Sequence, residues 1–476
     1  MEVLIEHAPS RARTVPMTHQ QRFLFEARKK NNTLRRLDTM TLRLSGKVRP
    51  ELLLNSFEQV ILRHDALRTR LVEVNGAWTQ EIRDIQECQI RFRDISNHPS
   101  HENEESVLPR LDELIGKCWI LDDAPLYYVD LLKVSESRFF LSHTLHHLIY
   151  DGYSINLIFR DIWSLYPALL RGQHPVLAEV PLQYSDYAIR QQREEAAWRD
   201  NHDAYWRARL DGASCARWPD DGGTAGVKTC ATARARVPMD ATLFSRLRQF
   251  ARRERTLPSI VTLAAYVAVV SQQCEVRDFV LPMNVAGRCR ADESALVGYL
   301  GHFLYLRMQL TENERFTGLL DKVRRELSQA MVHQDFGKVS GDIPELVGGV
   351  SFNWIKGQWE EMFGVPTQPE QAKLDIQVEA HPAAPFGQIV NFEPTETEGP
   401  AALLSELGFL FLENRDGITI VLSYRADLYS ATAAGAALTS MSTALAKFLG
   451  DPYTRISTIE PAAPNSDFSN RPAALL

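Results

Sequence analysis

A strand-to-helix corner that carries two adjacent histidines limits the folds open to this chain more than any other stretch. Residues 138–142 (RFFLS) predict a buried strand, and apolar residues recur at helical spacing between Ile155 and Leu165. Residues 146–152 (HHLIYDG) join the two elements. Such a corner can hold an imidazole rigidly near the free backbone N–H groups that begin a helix. The function of the chain therefore depends on how this corner is interpreted.

The residues of the corner allow three interpretations. His147 could be a general base or an orienting group, with Asp151 fixing the corner. His143, His147 and Asp151 lie four residues apart and could bind a metal ion, although the break into a loop spoils a continuous helical face. The same side chains could also be satisfied polar groups of a core. No other His or Cys cluster supplies an obvious further ligand, which weakens the metal interpretation, and we expect no metal. The residues alone leave all three interpretations open, with the metal site the least favoured.

Length and periodicity predict an α/β protein with two lobes. A chain of 476 residues exceeds what one hydrophobic core usually holds. Strands and helices alternate in both halves, and the stretch from Gly172 to the polar loop 211–227 separates them. We place the N-terminal lobe at 1–178, the C-terminal lobe at 179–461 and a loose tail at 462–476. The strands predicted by alternation are 39–46, a pair turning at Asn75-Gly76, 125–132, 229–237, 278–283, 301–308, 349–354, 407–412 and 418–424.

Several classes of protein are excluded by composition and by absent motifs. The net charge of -7 argues against a nucleic-acid partner. The six cysteines are scattered without a CxxC pair, which indicates reduced thiols in the cytoplasm. The longest apolar helical stretch, 260–270, is too short to span a membrane. No Gly-x-Ser-x-Gly elbow, Walker loop or dinucleotide fingerprint is present, so direct transfer between two bound substrates remains.

Motifs along the whole chain carry a family resemblance. Residues 146–152 match the HHxxxDG signature of the chloramphenicol acetyltransferase-like superfamily. Over roughly residues 15–460 the chain resembles a condensation domain of nonribosomal peptide synthetases. The other segments that carry the resemblance are 18–25 (THQQRFLF), 63–69 (RHDALRT), 184–188 (YSDYA) with 205–206 (YW), 285–288 (VAGR), 297–299 (VGY) with 306–307 (LR), and 333–336 (HQDF).

The resemblance implies a fold and a reaction. The fold is an α+β sandwich in two chloramphenicol acetyltransferase-like lobes that form a V-shaped pseudo-dimer with a tunnel between them. A floor loop at about 281–290 and a latch at about 356–405 are implied in the C-terminal lobe. The implied enzyme is an acyltransferase that joins an acyl or peptidyl donor, held as a phosphopantetheinyl thioester on a carrier protein, to an amine. The acceptor is a small-molecule amine or is held on an acceptor carrier protein.

The resemblance also implies roles for individual residues. His147 is the catalytic histidine, and Gly152 lets the backbone approach the developing oxyanion. The implied structural residues at the active site are His146, Asp151, Arg288 and Arg63, with Arg288 as the expected partner of Asp151. The residues expected to line the substrate tunnel are Asn353, His302, Phe303, Tyr305 and Ser154. No cofactor is bound directly, and we expect a monomer that is free-standing or excised from a larger synthetase.

Departures from the family pattern bear on the acceptor. His302-Phe303 stand where the family commonly has Asn-Thr, Tyr305 replaces a proline, and Gly337-Lys338 follow Phe336. An epimerization domain needs a glutamate motif not found in this sequence, and a heterocyclization domain replaces the histidines with aspartates. Amide formation is therefore the first expectation and ester formation the second. A carrier-protein interaction module without turnover is the alternative from another functional class.

Overall fold

The described part of the chain folds around two separate hydrophobic cores. A computed structural model describes residues 13–30, 37–84, 90–96, 125–173, 175–223, 232–334, 349–356, 376–380, 405–414 and 417–460. Backbone contacts divide these residues into two units. The first unit contains the described residues up to Ala196, the segment Arg288–Leu300 and residues 376–380, and the second contains the remainder. Both units mix helices with sheets, so the predicted α/β class is confirmed.

Strands and helices of the described residues are numbered in chain order. The strands are β1 (Arg13–Pro16), β2 (Leu37–Gly46), β3 (Thr69–Val74), β4 (Ala77–Ile82), β5 (Ile90–Asp94), β6 (Tyr127–Ser135), β7 (Arg138–His146), β8 (Thr232–Pro238), β9 (Asp278–Val285), β10 (His302–Gln309), β11 (Val350–Lys356), β12 (Ile376–Ala380), β13 (Leu407–Glu413) and β14 (Ile418–Arg425). The helices are α1 (His19–Lys30), α2 (Pro50–Arg63), α3 (Gly152–Leu170), α4 (Tyr184–Leu210), α5 (Ala241–Arg253), α6 (Pro258–Gln273), α7 (Phe316–Val332) and α8 (Ala431–Gly450).

The first unit is organised by a five-stranded sheet in the order β12-β2-β7-β6-β5. Strand β7 pairs antiparallel with β2 and β6, and its side chains alternate between two buried faces. On one face Leu141 and Leu145 enter the core that α2 and α3 cover. On the other face the Ser142 and Thr144 hydroxyls lie 2.9 and 3.0 Å from hydroxyls of β2. Because β7 is held on both faces, the corner at its end starts from a fixed position.

A smaller sheet of the first unit, in the order β1-β4-β3, contains the predicted hairpin. Strands β3 and β4 pair antiparallel, and Asn75 and Gly76 both adopt positive φ, at 53° and 77°. A two-residue loop with positive φ at both positions matches the twist of the strands it joins. The turn predicted at Asn75-Gly76 is therefore confirmed.

The second unit is built on a six-stranded sheet in the order β10-β9-β11-β13-β14-β8. Helix α6 begins with Pro258 at its first turn and is buried from Val261 to Ser271, as its uniformly apolar sequence predicts. Strands β13 and β14, both expected from the sequence, pair antiparallel. Phe316 of α7 stacks on Phe448 of α8 with ring centres 4.3 Å apart, which ties these two helices together.

Four sequence expectations need adjustment or lie outside the described residues. The predicted lobe boundary at 178 differs from the structural division, which falls between 196 and 197, inside α4. Residues 281–285 of the expected floor loop continue strand β9. In the expected latch only residues 356, 376–380 and 405 are described, and 376–380 form β12, which pairs antiparallel with β2. The tail 462–476 lies outside the described residues.

Within the described part of the chain, none of the helices combines the length and the apolar character that crossing a bilayer requires.

Trp206 anchors α4 in the second unit, and its replacement tests this core. The side chain is 2% exposed, and its Nε1–H donates to the His333 carbonyl oxygen at 2.9 Å. Trp206→Phe removes this bond and part of a buried ring, so we expect a loss of about 2 kcal/mol in the free energy of unfolding. Urea denaturation followed by circular dichroism measures it.

Trp354→Phe is the matched control, because Trp354 is only partly buried and its Nε1 lies 3.3 Å from the Glu413 carboxylate. We expect a smaller loss there. Equal losses in the two variants would contradict the anchoring role of Trp206.

Candidate active site

The corner between β7 and α3 is a tight, hydrogen-bonded turn. The Ile149 N–H donates to the His146 carbonyl oxygen at 3.0 Å, and the His146 N–H donates to the Leu126 carbonyl oxygen at 2.8 Å. The Leu148 N–H donates to Nδ1 of His146 at 3.1 Å. An imidazole nitrogen that accepts a hydrogen bond carries no proton, so this contact favours the neutral Nε2–H form of His146. The ring of His146 is 1% exposed and therefore acts as part of the turn.

Asp151 is the N-cap of α3. Its Oδ1 accepts the Ser154 N–H at 2.9 Å while its own backbone is extended, with φ -133° and ψ 177°. This geometry satisfies one of the free N–H groups of the first helical turn and places a negative charge at the positive end of the helix. The start of α3 is thus fixed by the same carboxylate that follows the histidines.

Arg288 forms a two-pronged ion pair with Asp151 across 137 residues of sequence. Its Nη1 and Nη2 donate to the two carboxylate oxygens at 2.8 and 3.0 Å, and Nη2 also lies 3.0 Å from the Leu296 carbonyl oxygen. The side chains of Arg288 and Asp151 are 6% and 9% exposed. The guanidinium carbon lies 4.4 Å from the centre of the Tyr153 ring, a cation–π contact. The structure therefore brings together the two residues that the resemblance paired.

Ser154 and Leu300 complete the surroundings of the carboxylate. The Ser154 hydroxyl lies 2.8 Å from Asp151 Oδ1 and 2.8 Å from the Gly298 carbonyl oxygen, and it accepts the Gly298 N–H at 3.1 Å. The Leu300 N–H donates to Asp151 Oδ2 at 3.1 Å. The segment Arg288–Leu300 is consequently held to the start of α3 by side-chain and backbone bonds.

The pKa of Asp151 lies below its usual value. Burial by itself would raise this pKa, but the Arg288 charge and the hydrogen bonds from Arg288 and Ser154 more than offset it. The carboxylate is therefore ionised at neutral pH. The groups that donate hydrogen bonds to it belong to the first turn of α3 and to the segment Arg288–Leu300. These contacts make Asp151 a residue that holds the corner.

His147 is the member of the histidine pair that is only partly buried. Its ring stacks on Tyr150, with centres 4.8 Å apart and planes 22° apart, and meets the edge of Tyr299 at 5.1 Å and 73°. Neither tyrosine was predicted as a site residue, because Tyr150 occupies an unspecified position of HHxxxDG and Tyr299 lies 152 positions beyond His147. A partly exposed imidazole on a fixed corner is suited to proton transfer or to orienting a nucleophile.

The metal interpretation does not fit the positions of its proposed ligands. His143 points into the core of the first unit, where its ring centre lies 4.6 Å from that of Phe159. Burial lowers the pKa of His143 to about 3, so this imidazole is neutral at physiological pH. Asp151 is occupied by Arg288 and Ser154. Over the described ranges, no group of three or more His, Cys, Asp or Glu side chains is arranged to hold a metal ion.

Two residues expected to line the tunnel are placed differently by the structure. Ser154 is fully buried, because its hydroxyl is used in the bonds to Asp151 and Gly298. Tyr305 is 8% exposed and packs in the core of the second unit, where its ring meets Trp206 edge-on at 6.5 Å. Strand β10 is buried on both faces in this region, so simple alternation does not predict where Tyr305 points.

The remaining predicted residues fall into two groups. His302 and Phe303 on β10 and Asn353 on β11 are partly buried in the second unit. In the first unit Arg63 donates to Asp161 at 3.0 Å and to the Ala178 carbonyl oxygen, and so ties α2 to α3 and to the stretch between α3 and α4. Gly152 is the first residue of α3. It is not among the described residues with positive φ, so its lack of a side chain rather than its backbone angle distinguishes it.

Comparison with protein-family models identifies the class of protein that this fold and site define. The Condensation domain model matches residues 11–340, and the chain therefore belongs to the condensation-domain family. The chain is 29% identical to one of the linear gramicidin synthase proteins of Brevibacillus parabrevis over 400 residues, which are 82% of this chain and 5% of that protein. The chain thus spans a small fraction of the curated relatives that it matches.

Solved structures share the fold. The X-domain in its complex with OxyB from teicoplanin biosynthesis superposes with a TM-score of 0.76 at 22% identity and covers 98% of this chain and 100% of that chain. The first condensation domain of the calcium-dependent antibiotic synthetase, in complex with a substrate analogue, superposes with a TM-score of 0.70 at 16% identity and covers 94% and 98% of the two chains. Both support the expected chloramphenicol acetyltransferase-like fold.

The buried ion pair predicts a large loss of stability on Asp151→Asn. The substitution leaves the Arg288 charge buried without its partner, so we expect the free energy of unfolding to fall by about 3–5 kcal/mol. The exposed pair of Arg13 and Asp186, whose side chains are 48% and 46% exposed, provides the control Asp186→Asn, for which we expect about 1 kcal/mol or less. Urea denaturation of both variants at pH 7.5 compares them, and a fully stable Asp151→Asn protein would contradict the structural role.

His143 predicts a loss of stability in mild acid. The pKa of His143 is lower in the folded chain than in the unfolded chain, so the unfolded chain binds the proton first as the pH falls. The contribution of neutral His143 to the free energy of unfolding is therefore full above pH 6.5 and declines from there toward pH 3. At pH 5 the decline from this group is about 2 kcal/mol. His143→Leu should therefore be less sensitive to the change from pH 8 to pH 5 than the original protein. The lowered pKa of Asp151 acts in a different window, because its contribution is lost only below about pH 4. An unchanged pH dependence in His143→Leu would contradict this assignment.

Proposed function

We propose that this chain is a condensation enzyme that joins a carrier-bound acyl or peptidyl donor to an amine and forms an amide. The observation that carries the proposal is the placement of His147, a partly exposed imidazole on a corner that Asp151 and Arg288 hold, in a member of the condensation-domain family. The amine nitrogen attacks the thioester carbon and the C–S bond breaks. The phosphopantetheine thiol leaves and takes up the proton lost by the amine.

In this proposal His147 touches the reacting atoms. It accepts the proton from the attacking nitrogen or holds the nucleophile toward the thioester, and a positioned general base typically contributes about 100- to 10,000-fold. Holding the two substrates together supplies a further large share of the rate. His146, Asp151 and Arg288 keep the imidazole in place, because their polar groups are already bonded within the corner.

The partners in this proposal follow from the thioester chemistry. The donor is presented on the 4′-phosphopantetheine of a carrier protein, and the enzyme itself binds no cofactor. The acceptor is a free amine or an amine on a second carrier protein. His302 and Phe303, which depart from the family pattern and are partly buried, are the residues we assign to the choice between them.

A non-catalytic role in partner recruitment is the second candidate. It is favoured by the likeness to an X-domain that was solved in complex with OxyB. The two candidates predict different outcomes when a loaded carrier is supplied, since only an enzyme consumes the thioester.

Intact mass spectrometry of a donor-loaded carrier tests the proposal. The carrier is incubated with the protein and with amines or alcohols, each free or carrier-bound, so that amide and ester products are distinguished by mass. We expect loss of the acyl group from the carrier with formation of an amide, and a drop of at least about 100-fold in rate for His147→Ala.

His333→Gln is the control, because His333 is a partly buried histidine of the second unit. We expect this variant to retain turnover. Normal turnover by a folded His147→Ala protein would contradict the catalytic role, and complex formation with a loaded carrier without any turnover would favour recruitment.

A further inference from the structure

Two tyrosine rings contact the imidazole of His147, one stacked on it and one tilted steeply to it. Tyr150 covers one face of the imidazole, and Tyr299 presents its ring at 73° to the imidazole plane. Tyr150 and Tyr299 are 6% and 7% exposed, whereas His147 itself is more accessible. A stacked ring and a tilted ring together restrict rotation about both side-chain torsions of a histidine.

The ring of Tyr299 is fixed through its backbone. Its carbonyl oxygen accepts the hydroxyl of Tyr184 at 2.8 Å, and that hydroxyl lies 3.1 Å from the Thr18 hydroxyl. The preceding residue, Gly298, packs against the Tyr184 ring so closely that a Cβ atom would overlap it. The following residue, Leu300, donates its N–H to Asp151. Tyr299 therefore cannot shift without disturbing bonds on both sides.

The ring of Tyr150 is fixed by its place in the turn. It lies between Ile149, whose N–H bonds the His146 carbonyl oxygen, and Asp151, which caps α3. Both tyrosines are thus attached to the hydrogen-bonded network around Asp151, although neither takes part in its ion pair.

We propose that Tyr150 and Tyr299 are positioning residues that hold the His147 imidazole in the one orientation that serves the transfer. The kinetic part of this inference rests on the proposed function, while the orientation of the ring does not. The contact with the aromatic ring holds the imidazole, so a Phe in place of either tyrosine should preserve the orientation of His147 and a Leu should not. A misplacement of the imidazole by about 1 Å would lower kcat by up to about 100-fold.

Nuclear magnetic resonance of selectively labelled histidines tests the orientation without any assay of activity. The chain has 13 histidines, and the signal of His147 is the one absent from the His147→Ala variant. The stacked Tyr150 ring should shift the His147 ring protons upfield. We expect this shift to persist in Tyr150→Phe and Tyr299→Phe and to collapse or broaden in Tyr150→Leu and Tyr299→Leu.

Tyr453→Leu is the control, because Tyr453 is a 66% exposed tyrosine of the second unit and takes no part in the contacts described around Asp151. Its substitution should leave the His147 signal in place. Tyr150→Met and Tyr299→Met serve as second variants where a Leu variant gives too little folded protein, and denaturation midpoints show that each measured variant is folded.

Kinetics with the loaded carrier supply the second readout. We expect the Leu variants to lose about 10- to 100-fold in kcat with little change in the KM for the donor, and the Phe variants to stay near the original rate. An unmoved His147 signal in the folded Leu variants, or equal losses in the Phe and Leu variants, would overturn the inference. A His147 signal that depends on both rings in a protein without turnover would instead keep the positioning and reject the proposed function.

Discussion

The ion pair of Asp151 and Arg288 is the interaction on which the rest of the site depends. Two nearly buried charged groups are stable there because the carboxylate accepts hydrogen bonds from two Arg288 nitrogens, from the Ser154 N–H and hydroxyl, and from the Leu300 N–H. A buried pair of this kind adds little net stability compared with an apolar pair, but breaking it is costly. It fixes where α3 begins and where the segment Arg288–Leu300 lies.

The consequence for the two histidines follows from geometry. His146 has a structural role in the turn, because its Nδ1 accepts a backbone N–H and its ring is buried. His147 keeps access to solvent and is bounded by aromatic rings. The two adjacent histidines therefore differ in chemistry, because His146 is hydrogen-bonded inside the corner and His147 is partly exposed. The orientation of His147 depends on the ion pair indirectly, since both tyrosines are attached to the elements that the pair joins.

Sequence was sufficient for the parts of the fold with local causes. The positive-φ turn at Asn75-Gly76 and the uniformly apolar α6 each follow from a few neighbouring residues. The short strands β1, β5 and β12 were not predicted, because four or five residues carry too little periodicity. The family resemblance supplied the pairing of Asp151 with Arg288, which no local pattern contains.

Other features of the site depend on long-range packing that a sequence does not display. Tyr299 meets His147 only because Gly298, Leu300 and Tyr184 hold its backbone. Tyr305 was expected to face the substrate but lies in a core, since both faces of β10 are covered. The burial of Ser154 had a local signal, because a residue three positions after an N-cap aspartate commonly donates its N–H to that carboxylate.

A double-mutant cycle between Arg288 and His147 tests the central claim most directly. The rate of amide formation from a loaded donor carrier is measured for the original protein, Arg288→Lys, His147→Ala and the double variant, all under conditions where each is folded. If the ion pair acts by holding the imidazole, Arg288→Lys lowers the rate when His147 is present and has no further effect when it is absent. If Arg288→Lys lowers the rate by the same factor in the presence and in the absence of His147, Arg288 acts independently of His147, and the account is contradicted.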